Sequence, residues 1–524
     1  NITSIDGLIT SDVSMGAAAV TVTDAASLAN ATAINGFTTG KVTLNSVEDT
    51  YSNIQSIKSI ADGEVDMGAA AVKVSDNVTK TEVDDLRTDT TGNITLTSVT
   101  EDKADLATIN GFADVILSTA NITVTDNVDK SEADTIDAYS NTSGIVTLTS
   151  ITDTVANVTA VENNTNISLD TSTITVTDAA SKDDAVAINN FTNAQVTLNA
   201  VQDSYDNLIA IDQLTTSEVS MAAAAVTVTD SIDKAKVDAL RQTTTGNVTI
   251  EDLTEDKADL ATIASYTDVI LSSTNITVTD DVNKSEVDTI NTYNDAGGVV
   301  TVSSITDKFS NISAVQETTG ISIGTALITA TDAVTLDNAN SLNGFTDAQV
   351  TLNVVEDTVS NITKIDELIA TDVSMAAAAV TVTDAATLAN AKAINNFTNG
   401  QVTLNIVQDT VSNITSIDGL TTSDVSMAAA AVTVTDAATL ANAKAINNFT
   451  SGQVTLNKAS DTYRNLISLD SLNKSEVTMA NATVTVTDVV DLRKVNALRN
   501  TTTGTVVLNQ VIEKKFNLNF EIID

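Results

Sequence analysis

The 524-residue chain contains no cysteine, histidine, proline or tryptophan. Each absence removes a class of chemistry. Without His or Cys there is no His-based catalytic triad, no thiol nucleophile, and no zinc or haem site of the usual ligand types. No disulfide framework can form, so cysteine usage says nothing about redox compartment. Cations are scarce too: 25 Lys and Arg stand against 69 Asp and Glu, a formal net charge of −44 with a pI near 4.1. That balance argues against nucleic acid as a partner, because a phosphate backbone needs Lys and Arg to displace its counterions. It argues equally against anionic membrane surfaces. Dense carboxylates are tolerable in salt-rich or divalent-rich surroundings, where they are screened. Long apolar runs are missing, the longest being Ala-Val runs such as Met221–Val226, so no membrane insertion is expected. No signal peptide is visible, and residue 1 already falls inside a repeat, which suggests a removed leader or a longer parent chain.

What is present is a core-forming composition. Aromatics make up 3% of residues, but the hydrophobic fraction is 42%, enough to separate the chain from a disordered acidic tail. The apolar residues recur in one phrase, DVSMAAAAVTVTDAATLANAKAINNFT, at Asp424–Thr450 and identically at Asp372–Thr398. Weaker copies fill the chain. Repeats begin at Asn1, Asn53, Asp105, Asn157, Asn207, Asp259, Asn311, Asn361, Asn413 and Asn465, spaced by 52 residues except for two of 50. A three-repeat block is duplicated, since EDKADLATI stands at Glu101–Ile109 and again at Glu255–Ile263. No linker interrupts the series, so residues 1–524 read as one continuous array, with 517–524 restating the phase of Asn1–Leu8 as a partial repeat. No polar capping repeat is evident at either end, although a free solenoid needs one to stay soluble.

Within the phrase, Val432-Thr433-Val434-Thr435 alternates apolar and polar with β-branched residues, the pattern of a half-buried strand. Val425 and Met427 supply strand letters before it. Asp436 is placed to cap a following helix. Ala437–Ile446 suits a short helix with a thin apolar stripe at Leu440, Ala443 and Ile446. The other half of the repeat has the same grammar: strand letters at Val402, Leu404, Ile406 and Val407, an acid at Asp409, then Val411, Ile414 and Ile417 at helical spacing. The expected fold is therefore an α/β solenoid of right-handed coils about 26 residues long, each with short parallel strands and a short helix, two coils per 52-residue repeat. Strands stack about 4.8 Å apart while helices need about 8–10 Å, so a curved or superhelical rod with strands on the inner wall is expected.

Every coil carries an acid where strand gives way to helix. One series is Asp24, Asp76, Asp126, Asp178, Asp230, Asp280, Asp332, Asp384, Asp436 and Asp488; the other is Asp49, Glu101, Asp153, Asp203, Glu255, Asp307, Asp357, Asp409, Asp461 and Glu513. Helix capping is the favoured explanation, at roughly 1 kcal/mol per cap, and Thr79 with Glu82 has capping-box spacing. The alternative for the first series is a ladder of calcium ligands, calcium being a hard cation that takes carboxylates and carbonyls. Against it, neither a Gly-Gly-x-Gly-x-Asp nonapeptide nor an EF-hand loop occurs. Calcium is the one cofactor the residues suggest.

Other candidates are weaker. Thr21/Thr23, Thr381/Thr383, Thr433/Thr435 and Thr485/Thr487 would share a strand face and stack as an ice-binding hydroxyl ladder, or simply be good strand residues facing solvent. Paired carboxylates can hydrolyse glycosides, yet an active site is unique while each acid here recurs, so no enzyme is expected. Sequons at Asn93, Asn121, Asn157, Asn311, Asn361 and Asn413 permit surface glycosylation. Tyr51, Tyr205 and Tyr463 take the slot of Val359 and Val411 and read as core filling. Arg87, Arg241 and Arg499 end helices, where a cation is favourable.

In its repeat style, Val-Thr-Val-Thr-Asp before a short Ala-rich helix and Asp-Thr-x-x-Asn-Ile in the alternate half, the whole chain resembles acidic, Cys-free tandem-repeat regions of large bacterial cell-surface and secreted proteins, of S-layer-like or repeat-adhesin type. The resemblance implies a secreted or cell-surface location, a structural or adhesive role, and calcium dependence. The expected function is an extracellular structural repeat protein that forms or extends a surface layer, filament or stalk by end-to-end self-assembly. The alternative is an adhesin arm or ice-binding module presenting a repeated Thr/Asp face. The partners expected are other copies of the chain, and a cell-surface glycan or lipopolysaccharide.

Overall fold

The computed structural model describes residues 14–60, 64–140, 143–214, 218–368, 372–420 and 424–512. The repeat start at Asn1, the acid at Glu513 and the partial repeat 517–524 lie outside the described residues. Two compact units are present, Asn1–Leu253 with Ile263–Leu271, and Thr254–Thr262 with Ser272–Asp524. Each is an α/β solenoid in which strands and short helices alternate and the strand pairings are parallel. A parallel neighbour demands a crossover, and the helix of each coil supplies it.

Two kinds of coil alternate. In the second unit, the first kind has a two-residue strand Val425–Ser426, a turn, the strand Ala431–Ala438 and the helix Leu440–Phe449. The second kind has one strand, Val454–Asp461, and the helix Tyr463–Asp470. Val432, Thr433 and Val434 pair with Val454, Thr455 and Leu456. The register then slips, and Ala437 and Ala438 meet Lys458 and Ala459. Thr435 and Asp436 thus form a bulge opposite Asn457, a device that re-aims a side chain. The same slip recurs in the first unit, between Val176 and Ala179 where that strand meets Val196–Asp203.

The bulge corrects the expected helix boundary. Ala437 and Ala438 finish the strand, and the helix starts at Leu440, not at Ala437. Its N-cap is Thr439, whose hydroxyl accepts from the Asn442 N–H while the Asn442 side chain accepts from the Thr439 N–H, a reciprocal capping box. The Ala run before the strand makes the turn between the short and long strands, closed by Ala430 N–H donating to the Met427 carbonyl at 3.0 Å.

The core is a column of aliphatic side chains between strands and helices. Val432, Val434, Ala438, Ala443 and Ile446 are buried in one coil, and Val454, Leu456, Ala459, Leu466 and Leu469 in the next. Parallel register stacks each residue on its counterpart, Val432 on Val454 and Val454 on Val477. Burying each Val, Leu or Ile contributes about 1.5–3 kcal/mol before ordering entropy is subtracted. Aromatics do not fill this column. Tyr51, Tyr205 and Tyr463 occupy the first turn of their helices and stay half-buried. A ring is too wide for a core slot that repeats at the strand spacing.

Candidate functional site

The acids form the most regular polar feature, and they connect coils. Asp436 does not cap the helix that follows it. Its Oδ1 accepts from the N–H of Val411, the first residue of the preceding coil's helix, at 2.7 Å. The same bond reaches back from Asp76 to Tyr51, Asp126 to Lys103, Asp178 to Val155, Asp230 to Tyr205, Asp280 to Lys257, Asp332 to Phe309, Asp384 to Val359 and Asp488 to Tyr463. The residues one coil before Asp24 lie outside the described residues. These Asp sit in the bulge, which turns the carboxylate toward the preceding helix. The N–H they receive is one of those a helix N-terminus leaves unsatisfied, and a carboxylate there also suits the helix dipole.

The second series ends its strands. Asp409 Oδ2 accepts from the Leu388 N–H of the preceding coil at 2.9 Å. Its Oδ1 accepts from the Thr410 N–H and from Asn413 Nδ2, both at 2.8 Å. Thr410 in turn caps the Asn413 N–H. The phrase Asp-Thr-x-x-Asn is therefore one hydrogen-bonded motif that closes two helices at once. Asp49, Asp153, Asp357 and Asp461 repeat it with Thr at the cap; Asp203 repeats the acid's bonds, but Ser204 makes no cap hydrogen bond. Burial pushes the Asp49, Asp153, Asp203, Asp307, Asp357 and Asp461 carboxyls up. The hydrogen bonds from their Asn and backbone donors outweigh it and hold all six below the usual carboxylate value.

Four sequons fall inside this motif. Asn157, Asn311, Asn361 and Asn413 each donate the side-chain amide to the acid four residues earlier, so the nitrogen a glycan would take is already engaged in that bond. Asn93 and Asn121 are exposed.

The Thr-x-Thr pairs do not make a two-wide ladder. The second Thr of each pair, Thr383 or Thr435, lies in the bulge and has no register partner. The first Thr stands in a column whose neighbours change. Thr433 lies between Gln408 and Thr455, and Thr381 between Glu356 and Thr403. Thr152, Thr175 and Thr197 do run on consecutively.

Among the described residues, the one group of three acids whose oxygens lie within 4.8 Å of each other is Glu255, Asp256 and Asp259, and no Asp of the expected calcium ladder belongs to it. Asp256 Oδ1 there accepts from the Ala258 and Asp259 N–H groups at 2.9 Å, as a helix cap does.

One series of residues escaped sequence reasoning. Thr450 is buried and donates its hydroxyl to the Ala430 carbonyl at 2.6 Å, while accepting from the Gly452 N–H at 2.9 Å. A Cβ at Gly452 would sit 2.2 Å from that carbonyl oxygen, which explains the glycine. Thr90, Thr244, Thr346 and Thr398 make the same clamp. The signal was available in the recurring T-x-G of FTSG and TTTG.

Arg87 does lie in the last turn of its helix, but its guanidinium also stacks on Phe112 at 3.7 Å and bonds Asp114 at 2.9 Å in the next coil. Arg241 does the same with Tyr266 and Asp268. The Lys58 ammonium pairs with the buried Asp89 carboxylate, which Gln55 also donates to.

No protein-family model matches the chain, and no curated protein matches it. No helix of the described residues is long and apolar enough to cross a membrane.

Proposed function

We propose that the chain is an extracellular structural repeat protein that forms or extends a cell-surface layer, filament or stalk, with copies joining end to end. The observation that supports this most is the use to which the acids are put. Coil after coil, the carboxylate bonds the backbone of the preceding helix. Each coil thereby completes the one before it, and adding coils adds length without changing the local chemistry. Repeat arrays gain stability through such neighbour interfaces. On this reading the chain is not an enzyme, and the acidic, thiol-free composition suits an exposed surface in salt.

Deleting one whole repeat, residues 361–412, joins Ser360 to Asn413 in phase. The shortened protein should still fold and assemble, and electron micrographs should show particles shorter by one repeat. Loss of assembly on deletion would point to a single site, as in an adhesin. Isolated short monomers at high concentration of the intact chain would sink the end-to-end reading.

A further inference from the structure

The helix surface of the second unit changes character along the chain. Leu388–Phe397, Val411–Asp418 and Leu440–Phe449 carry one charged residue each, and Tyr463–Asp470 carries two. Their first residues, Leu388, Val411, Leu440 and Tyr463, leave a row of apolar side chains half-exposed. In a chain of net charge −44 these are four consecutive, lightly charged helices. A second acidic copy meets little repulsion there.

The charges that remain are ordered. Lys392, Asp418, Lys444 and Asp470 follow at intervals of 26 residues, one per consecutive coil, alternating in sign. Lys392 and Lys444 are exposed, and neither forms an ion pair among the described residues. Asp470 lies 3.8 Å from Lys474, a contact of a largely exposed lysine. Arg464 is the one further charge on these four helices, at the opposite end of its helix from Asp470.

An alternating row of four is self-complementary under a two-fold axis. With the axis along the helices and between the Val411–Asp418 and Leu440–Phe449 rows, Lys444 faces the Asp418 of a second copy, and Lys392 faces its Asp470. The reverse pairs follow by symmetry. Lysines stand at the fifth helical position and aspartates at the eighth. The offset is about 4.5 Å along the axis, within reach of a lysine side chain. Identical repeat spacing on both copies keeps the rows in step, which a globular partner would not do.

We infer that this helix face, Leu388 to Asp470, is a lateral pairing surface for a second copy of the same chain. Four rows about 8–10 Å apart and about 12 Å long cover on the order of 500 Å² per partner, the low end of specific interfaces. The pairing is therefore weak and reversible, and it saturates at two copies. It is independent of the end-to-end joining proposed above.

The test is a charge swap in the full chain. One variant carries Lys392→Glu with Lys444→Glu, the other Asp418→Lys with Asp470→Lys. Sedimentation velocity and native mass spectrometry are run at concentrations on the order of 100 µM. Wild type is expected to pair side by side, and each variant alone to lose that pairing while keeping whatever end-to-end joining the wild type shows, with circular dichroism unchanged. An equimolar mixture is expected to give a dimer with one copy of each variant. A monomeric wild type, a variant that still pairs with itself, or a mixture that stays monomeric would each overturn the inference. End-to-end joining gives species that grow past two copies, so its failure is read separately.

Discussion

The two kinds of coil solve one problem in two ways. Both must hand a carboxylate to the helix behind them. The bulged coil does it with an Asp in mid-strand, such as Asp436, which makes a single bond to the Val411 N–H. It holds its own geometry with a separate device, the buried Thr450 hydroxyl against the Ala430 carbonyl. The straight coil puts everything on one residue: Asp409 receives the Leu388 and Thr410 N–H groups and the Asn413 amide. An acid in every coil therefore does not mean equal acids. Perturbations should fall hardest on the straight coils.

Lowering the pH should give the largest effect, because it strikes six straight coils together. Asp49, Asp153, Asp203, Asp307, Asp357 and Asp461 have carboxyls held below their ordinary value in the fold. A group depressed by folding contributes fully above its unfolded value near 4 and loses that contribution as pH falls through the folded one. Glu162 and Asp366 act the other way: burial first, then Asp170 and Glu367 respectively, push their carboxyls up, so protonation favours the fold there. Thermal midpoints should hold or rise slightly from pH 7 to 5 and fall steeply below about pH 4. A midpoint still rising at pH 3 would show that relief of the −44 self-repulsion outweighs the strand-end bonds.

Among single changes, Asp409→Ala should cost the most, about 3 kcal/mol locally, since it strips three donors of a charged acceptor. Repeat arrays need not unfold in one step, so hydrogen exchange is the suitable measurement. The Leu388 and Thr410 amides should exchange faster, on either side of the substitution. Protection lost at Thr410 alone would mean that the bond to the preceding coil carries no weight.

Thr450→Val comes next, at about 2 kcal/mol. It keeps the shape but leaves the Ala430 carbonyl and the Gly452 N–H without their hydroxyl partner in a buried turn. The loss should concentrate at the turn between Val425–Ser426 and Ala431–Ala438 and spare neighbouring straight coils. A urea midpoint equal to wild type would remove the clamp from the account of the bulged coil.

Much of this was legible beforehand. Alternation in Val432–Thr435 and helical spacing in Val411, Ile414 and Ile417 are local signals, and the fold repeats them until they are unmistakable. The direction of the Asp436 bond was not legible. A capping residue is recognised by its distance along the chain, whereas Val411 lies 25 residues back and becomes a neighbour only through coil stacking. The bulge was equally hidden, because a register slip is a property of two strands, not of one. The Thr450 clamp was hidden as well, because its partner carbonyl is 20 residues away.

The smallest effect, and the sharpest test of the comparison, is Asp436→Ala. One hydrogen bond to a helix N-terminus is at stake, so the cost should be about 1 kcal/mol. The damage should appear backwards: the Val411 amide loses protection, while the helix Leu440–Phe449 that follows Asp436 keeps its own cap from Thr439 and is unchanged. An Asp that capped its own helix would give the opposite pattern. Asp384 and Asp436 lie in identical phrases, so Asp384→Ala should repeat the result at Val359. Equal losses at Asp436→Ala and Asp409→Ala would erase the distinction between the coils and leave a uniform ladder of acids in its place.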